Sequence, residues 1–240
     1  MFKVNSYGDA GLQIQFGERI SKETNEKIRS FCMYLEKENL PGVIEWIPTY
    51  TAVTIIYDPY YVLYDALKKR VESIQYQLSD IELPPAKVIH IPVLYGEEKG
   101  PDLKHVADLN GFDESEVMSI HSGTNYLIYM MGFTPGFPYL GGMSDKIATP
   151  RLANPRARIP AGSVGIAGKQ TGIYPLNSPG GWQIIGQTPI KIYNPNQKKP
   201  ILLQVGNYIR FFPITKAEYA AIEKDVEAGS YLPQIEKYTE

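Results

Sequence analysis

Between Gly132 and Pro189 the chain carries 11 of its 21 glycines and 8 of its 19 prolines. Breakers at that density exclude long helices, and aromatic, aliphatic and arginine residues interleaved with them exclude a low-complexity linker. The stretch reads instead as short strands joined by stiff turns. Its charges are lopsided: Lys146, Arg151, Arg156, Arg158 and Lys169 face a single acid, Asp145, inside a chain of net charge −2. Cations held near aromatic faces on rigid turns suit a small anionic ligand or a partner's acidic surface.

The rest of the chain shows two textures. In the first third, Leu12, Ile14 and Phe16 alternate with polar residues, the period of a half-buried strand. Ser21 is placed to cap a helix through Thr24, Ile28, Phe31 and Leu35, which stops at Leu40-Pro41-Gly42. Strands are expected at Val43 to Ile47 and Ala52 to Tyr57, then a helix with Leu63, Leu67, Val71, Ile74 and Leu78 on one stripe. The order β-α-β-β-α predicts an α+β, ferredoxin-like domain over residues 1–84 that lacks or borrows its last strand. Leu83-Pro84-Pro85-Ala86 is an extended spacer. Beyond it, residues 85–240 predict a barrel or sandwich. The expected strands are VIHIPVLY, YLIYMM, SVGIA, WQIIG, IKIY, ILLQV and YIRFFP, with short helices at Asp102 to Asn110 and Asp113 to His121. Thr215 and Glu218 make a capping box for a closing helix.

Several functions are excluded by what is missing. There is no phosphate loop of the GxxxxGK[ST] kind, no GxSxG elbow, and no paired-ligand spacing among His90, His105 and His121. One carboxylate in the central window is poor material for acid–base pairs or for Mg²⁺. The charge balance provides no overall basic field for nucleic acid, and no segment is long and apolar enough for a membrane. One cysteine, Cys32, and a start without an apolar run lead us to expect a cytoplasmic protein. Each glycine, arginine or aromatic of the window taken singly is a turn former, a solvated charge or a core residue. Their grouping suggests a site.

GFTPGFPYLGGM followed by TPRLANPRARIPAGSVGIAGKQTGIYPLNSPGGWQIIGQTP closely resembles the signature of the KipI / PxpB family, known as the 5-oxoprolinase B subunit, kinase A inhibitor or allophanate hydrolase subunit 1. SYGDAGLQIQFG, LPGVIEWIPTYTAVTIIYDP and IPVLYGEEKGPDLKHVADLNGFDESEV extend the similarity over essentially the whole chain. The resemblance implies a small N-terminal α/β domain and a cyclophilin-like β-barrel with a cleft. It implies one component of an ATP-dependent 5-oxoprolinase, inactive alone, working with the A and C subunits to convert 5-oxoproline to L-glutamate. ATP with Mg²⁺ would be bound by or shared with those partners, and the chain has no biotin attachment segment. Inhibition of a sporulation sensor histidine kinase is the alternative. By position, the cleft would be lined from His121, Phe133, Phe137, Tyr139, Arg151, Arg156, Arg158, Ser163, Gln170, Tyr174 and Trp182, with catalytic residues undefined. The family's GRTP after SPGGW is GQTP here, so Gln187 stands in place of an arginine.

Overall fold

The computed structural model describes residues 2–239 and divides into two compact units, Met1–Pro85 and Ala86–Glu240. In the first, strands β1 (Lys3–Ser6) and β2 (Gly11–Gln15) precede helix α1 (Lys22–Glu38), and β3 (Val43–Pro48) and β4 (Ala52–Tyr57) precede α2 (Tyr64–Ile74). The sheet order is β1-β2-β4-β3, antiparallel throughout. Helix α1 begins where extended Ser21 accepts the Thr24 N–H on its Oγ at 3.1 Å. It ends where Asn39 turns left-handed (φ 45°) and gives its N–H to Leu35 O. Ile28, Phe31 and Leu35 of α1 and Leu67, Val71 and Ile74 of α2 are buried in one core with Leu12, Ile14, Val53 and Ile55.

Two features of this unit depart from expectation. Strand β1 precedes the anticipated first strand and pairs beside it, leaving three of its four residues exposed; so short and polar a strand has no period to betray it. Helix α2 stops at Ile74, and Leu78 falls in a 3₁₀ turn at Leu78–Asp80.

The second unit runs through β5 (Lys87–Tyr95), α3 (Leu103–Asn110), α4 (Glu114–Ser122), β6 (Asn125–Met131) and β7 (Pro138–Gly141). Then come β8 (Arg156–Ile159), β9 (Ser163–Ala167), β10 (Gln170–Ile173), β11 (Ser178–Gly180), β12 (Gln183–Gln187), β13 (Tyr208–Pro213), α5 (Lys216–Glu227) and β14 (Ile235–Lys237). The main sheet has the order β10-β9-β12-β5-β13-β6-β7, and its end strands β7 and β10 come together, so the sheet is nearly a closed barrel. The fold class is therefore mixed α and β with a barrel sheet. Strand β5 pairs in parallel with β13; its other edge is shared, β14 taking Lys87 to Ile89 and β12 taking Leu94 and Tyr95. Ile91, Val93, Tyr126, Ile128, Val164, Ile166, Ile185, Ile209 and Phe211 fill the interior, joined by Leu103, Val106 and Val117 from α3 and α4.

The expected strands IKIY and ILLQV are not strands. They meet through one isolated bridge, Tyr193 with Ile201, closed by Asn194 N–H to Pro200 O at 2.7 Å. Pro195 and Pro200 lack the N–H groups that a longer ladder requires. Buried Ile190, Ile192 and Leu203 produced the apolar pattern. Helix α5 has the expected capping box: Thr215 Oγ1 accepts Glu218 N–H while Glu218 Oε2 accepts Thr215 N–H at 2.7 Å.

Candidate functional site

Strands β8 and β11 pair only with each other, forming a two-stranded ribbon. A second apolar cluster lies here, made of Phe137, Ile159, Ala167, Tyr174, Trp182 and Ile184, with Tyr139 against it. Its rings meet edge to face around Phe137: Tyr139 at 5.4 Å between centroids, Trp182 at 5.6 Å and Tyr174 at 5.7 Å, with Phe133 at 5.6 Å on the outside. Local sequence makes this close packing possible. Gly172 has no side chain to keep the Trp182 indole off β10; a Cβ there would sit 3.2 Å from the ring. At Gly180 a Cβ would overlap Tyr174 Oη.

These residues surround a cleft of about 270 Å³ lined by Phe133, Phe137, Tyr139, Arg151, Gln170, Tyr174 and Trp182 and by the Pro179-Gly180-Gly181 backbone. Phe133 is held at φ 64° in the GFTPG turn, and its exposed ring stands at the mouth. Arg151 is exposed there, and among the described residues it makes no ion pair with a carboxylate. Burial raises the Tyr174 phenol, opposed by the nearby charges of Arg151 and Arg156 and by a hydrogen bond from the Trp182 backbone. The lining is thus largely aromatic, and its polar side-chain groups include an arginine, two phenols and an amide.

Seven of the eleven residues singled out in the sequence meet at this cleft; four lie elsewhere. Arg156 is turned into the fold. Its Nη2 donates to Asp102 Oδ1 at 2.7 Å and its Nη1 to Trp182 O at 3.3 Å. Arg158 is exposed on β8 outside the lining. Ser163 is buried in β9, where its carbonyl accepts the Tyr174 N–H at 2.9 Å, so it supports the wall from behind.

His121 is fully buried in α4, away from the cleft. Its Nδ1 lies 2.7 Å from Tyr95 Oη and its Nε2 2.8 Å from Thr171 Oγ1. Thr171 Oγ1 donates onward to Gly165 O at 3.0 Å. That chain of bonds assigns one arrangement: Tyr95 O–H donates to Nδ1, and Nε2–H donates to Thr171. The ring stacks on Phe211 at 4.5 Å, and burial lowers its pKa to about 3. It is a satisfied neutral core histidine. Gln187 also lies outside the cleft; its Nε2 donates to Ala161 O at 2.7 Å and braces the turn before β9.

Asp102 is the residue that sequence reading missed. It stands at the N-cap of α3 but makes no side-chain cap; it takes Arg156 on Oδ1 and the Ile184 N–H on Oδ2 at 2.6 Å. Its only trace in the sequence is an acid at a helix start, which reads as an ordinary cap. Among the described residues, no group of three or more His, Cys, Asp or Glu is arranged to hold a metal ion.

The family model described as "Carboxyltransferase domain, subdomain C and D" matches residues 2–203, and the chain belongs to that family. Within it the chain belongs to the KipI / PxpB group. It is 41% identical over 234 residues to the 5-oxoprolinase B subunit of Bacillus subtilis (strain 168), covering 93% of this chain and 98% of that one. The 5-oxoprolinase B subunit of Escherichia coli O157:H7 is 44% identical over 176 residues, 73% of this chain and 80% of that one. Among solved structures, TTHA0988 is similar with a TM-score of 0.75 and 35% identity over 85% of this chain, which spans 40% of the length of TTHA0988.

Proposed function

We propose that this chain is the B subunit of an ATP-dependent 5-oxoprolinase, opening 5-oxoproline to L-glutamate in a cleft completed by companion subunits. The observation that carries the reading is the exposed Arg151 guanidinium at the mouth of an aromatic cleft that has no carboxylate in its lining. 5-Oxoproline offers a carboxylate for a bidentate arginine and the methylene edge of its lactam ring for Phe137 and Trp182. Near-complete coverage of the Bacillus subtilis relative supports the same assignment.

The lactam carbonyl is a poor electrophile. Transfer of the ATP γ-phosphoryl group to the lactam oxygen, with ADP leaving, makes the ring carbon open to water. Attack there and cleavage of the C–N bond leave an acyl phosphate, whose hydrolysis releases L-glutamate and phosphate. Arg151 binds and orients the substrate carboxylate, and the aromatic walls exclude bulk water. The cleft does not fit Mg²⁺, since no carboxylate lines it, so phosphoryl-transfer groups belong to companions, the A and C subunits, and the chain is inactive alone. We read the first unit as ferredoxin-like, with β1 standing where the last strand of that fold would pair, the second as cyclophilin-like, and the protein as cytoplasmic.

The test is 5-oxoproline-dependent ADP release by the chain alone, the companions alone and the mixture. Activity is expected in the mixture; full activity from the chain alone defeats the shared site. In the mixture, Arg151→Ala should raise KM by roughly 10- to 100-fold, the loss of a charged hydrogen bond of about 1.5–3 kcal/mol.

A further inference from the structure

We propose that Asp102 and Arg156 form a positioning pair that clamps the Trp182 carbonyl and, through the indole packed on Tyr174, holds the aromatic wall of the cleft in place. The inference rests on the reading of this cleft as the substrate site, though the clamp itself does not. Asp102 is nearly buried and its carboxylate is used at both oxygens, by Arg156 Nη2 at 2.7 Å and by Ile184 N–H at 2.6 Å. The backbone is doubly tied at the same place, because Asp102 N–H donates to Ile184 O at 2.9 Å. Arg156 then spends Nη1 on Trp182 O at 3.3 Å. One guanidinium thus joins the start of α3, the ribbon strand β8 and the entry to β12.

The consequence reaches the cleft through Trp182. Its carbonyl accepts from Arg156, and its indole meets the Tyr174 ring edge to face at 6.0 Å between centroids and the Phe137 ring at 5.6 Å. Gly180 closes over Tyr174 Oη, since no Cβ fits there, and both residues line the cleft. Tyr174 is therefore held in the cleft wall, beside Arg151, by the packing of Trp182. Tyr174 touches the ligand; Asp102 and Arg156 act through Trp182.

This assigns Arg156 a role opposite to a direct anion contact, and substitutions separate the two. Arg156→Lys keeps the charge but not the planar fork that reaches two acceptors. Asp102→Asn keeps an acceptor for the Ile184 N–H but presents an amide where Arg156 needs an oxygen. If Arg156 bound the ligand itself, Asp102→Asn would free its guanidinium and leave binding unchanged or tighter. As a clamp, both substitutions should fail alike.

The measurements use the full chain in a Trp46→Phe background, where Trp182 is the remaining indole. We expect Asp102→Asn and Arg156→Lys each to shift Trp182 emission to the red and to increase acrylamide quenching, with far-UV circular dichroism retained. In the complex with companions, both should lower kcat/KM for 5-oxoproline to a similar extent. Tyr174→Phe should lose less in the Arg156→Lys background than alone. Unchanged Trp182 emission in Asp102→Asn overturns the proposal, as does Arg156→Lys losing activity while Asp102→Asn keeps it. Should Arg156→Lys not fold, Asp102→Asn decides alone. A native complex without 5-oxoproline turnover sinks the assignment of function, and the Trp182 signal still decides the clamp.

Discussion

Acidification should unfold the barrel unit through His121, and the slope can be worked from its surroundings. The ring is fully buried, accepts from Tyr95 on Nδ1, donates to Thr171 on Nε2 and lies on Phe211. Burial lowers its pKa to about 3, whereas an unfolded chain holds histidine near the ordinary 6.5. As pH falls below about 6.5 the unfolded state takes up the proton first, so the stability present above that pH is progressively lost toward about pH 3. Each pH unit inside the window costs about 1.4 kcal/mol, or about 3 kcal/mol by roughly pH 4.5. Carboxylates titrate over part of the same range, so the quantity to measure is a difference. His121→Gln, again in the Trp46→Phe background, removes the proton uptake while Gln offers one donor and one acceptor. It should be less stable than the parent at neutral pH, by about 2–4 kcal/mol for the lost stacking and imperfect bonds. Urea unfolding monitored at Trp182 at several pH values should then show the two stabilities converging on acidification. A gap that stays constant from neutral to acid pH refutes a neutral buried His121.

Two further outcomes follow from packing. Gly180→Ala adds a Cβ that overlaps Tyr174 Oη and comes within 2.8 Å of Ile159 Cδ1, so it should cost about 1–3 kcal/mol in urea unfolding and impair turnover in the complex. Phe31→Ala empties a fully buried site among Phe2 and Phe16 and should cost about 3–5 kcal/mol in the first unit. Because the chain divides into two compact units, the transition reported by Trp182 should stay in place in that variant.

The elements that were legible in the sequence are those whose pattern is local. Ser21 and Asn39 bracket α1 with side-chain and backbone bonds inside one turn, and Thr215 and Glu218 bond within three residues. Strands β2, β4, β5 and β13 show alternation or continuous apolar runs because one or both faces are buried. The short strands β7, β8, β10 and β11 have three or four residues each, too few for a period, and exist because distant partners complete them. IKIY and ILLQV failed for the converse reason. Their apolar residues are buried, yet Pro195 and Pro200 remove the donors, so burial pattern and ladder formation come apart.

The cleft divides along the same physical line. Phe137, Tyr139, Arg151, Gln170, Tyr174 and Trp182 are brought together by glycine-permitted close approach, and the glycines were visible as a cluster. What composition could not show is which arginine is free to meet a ligand. Arg151 and Arg156 are five residues apart in one cationic segment, and their charges are identical. The distinction is made by Asp102, 54 residues before Arg156, which captures one guanidinium and leaves the other at the mouth. A positive window therefore overstates its anion-binding capacity by every cation that an acid elsewhere in the chain has already taken. Asp102→Asn releases one such cation without altering the window, so its effect on ligand affinity measures how far charge alone, without the Trp182 geometry, accounts for binding.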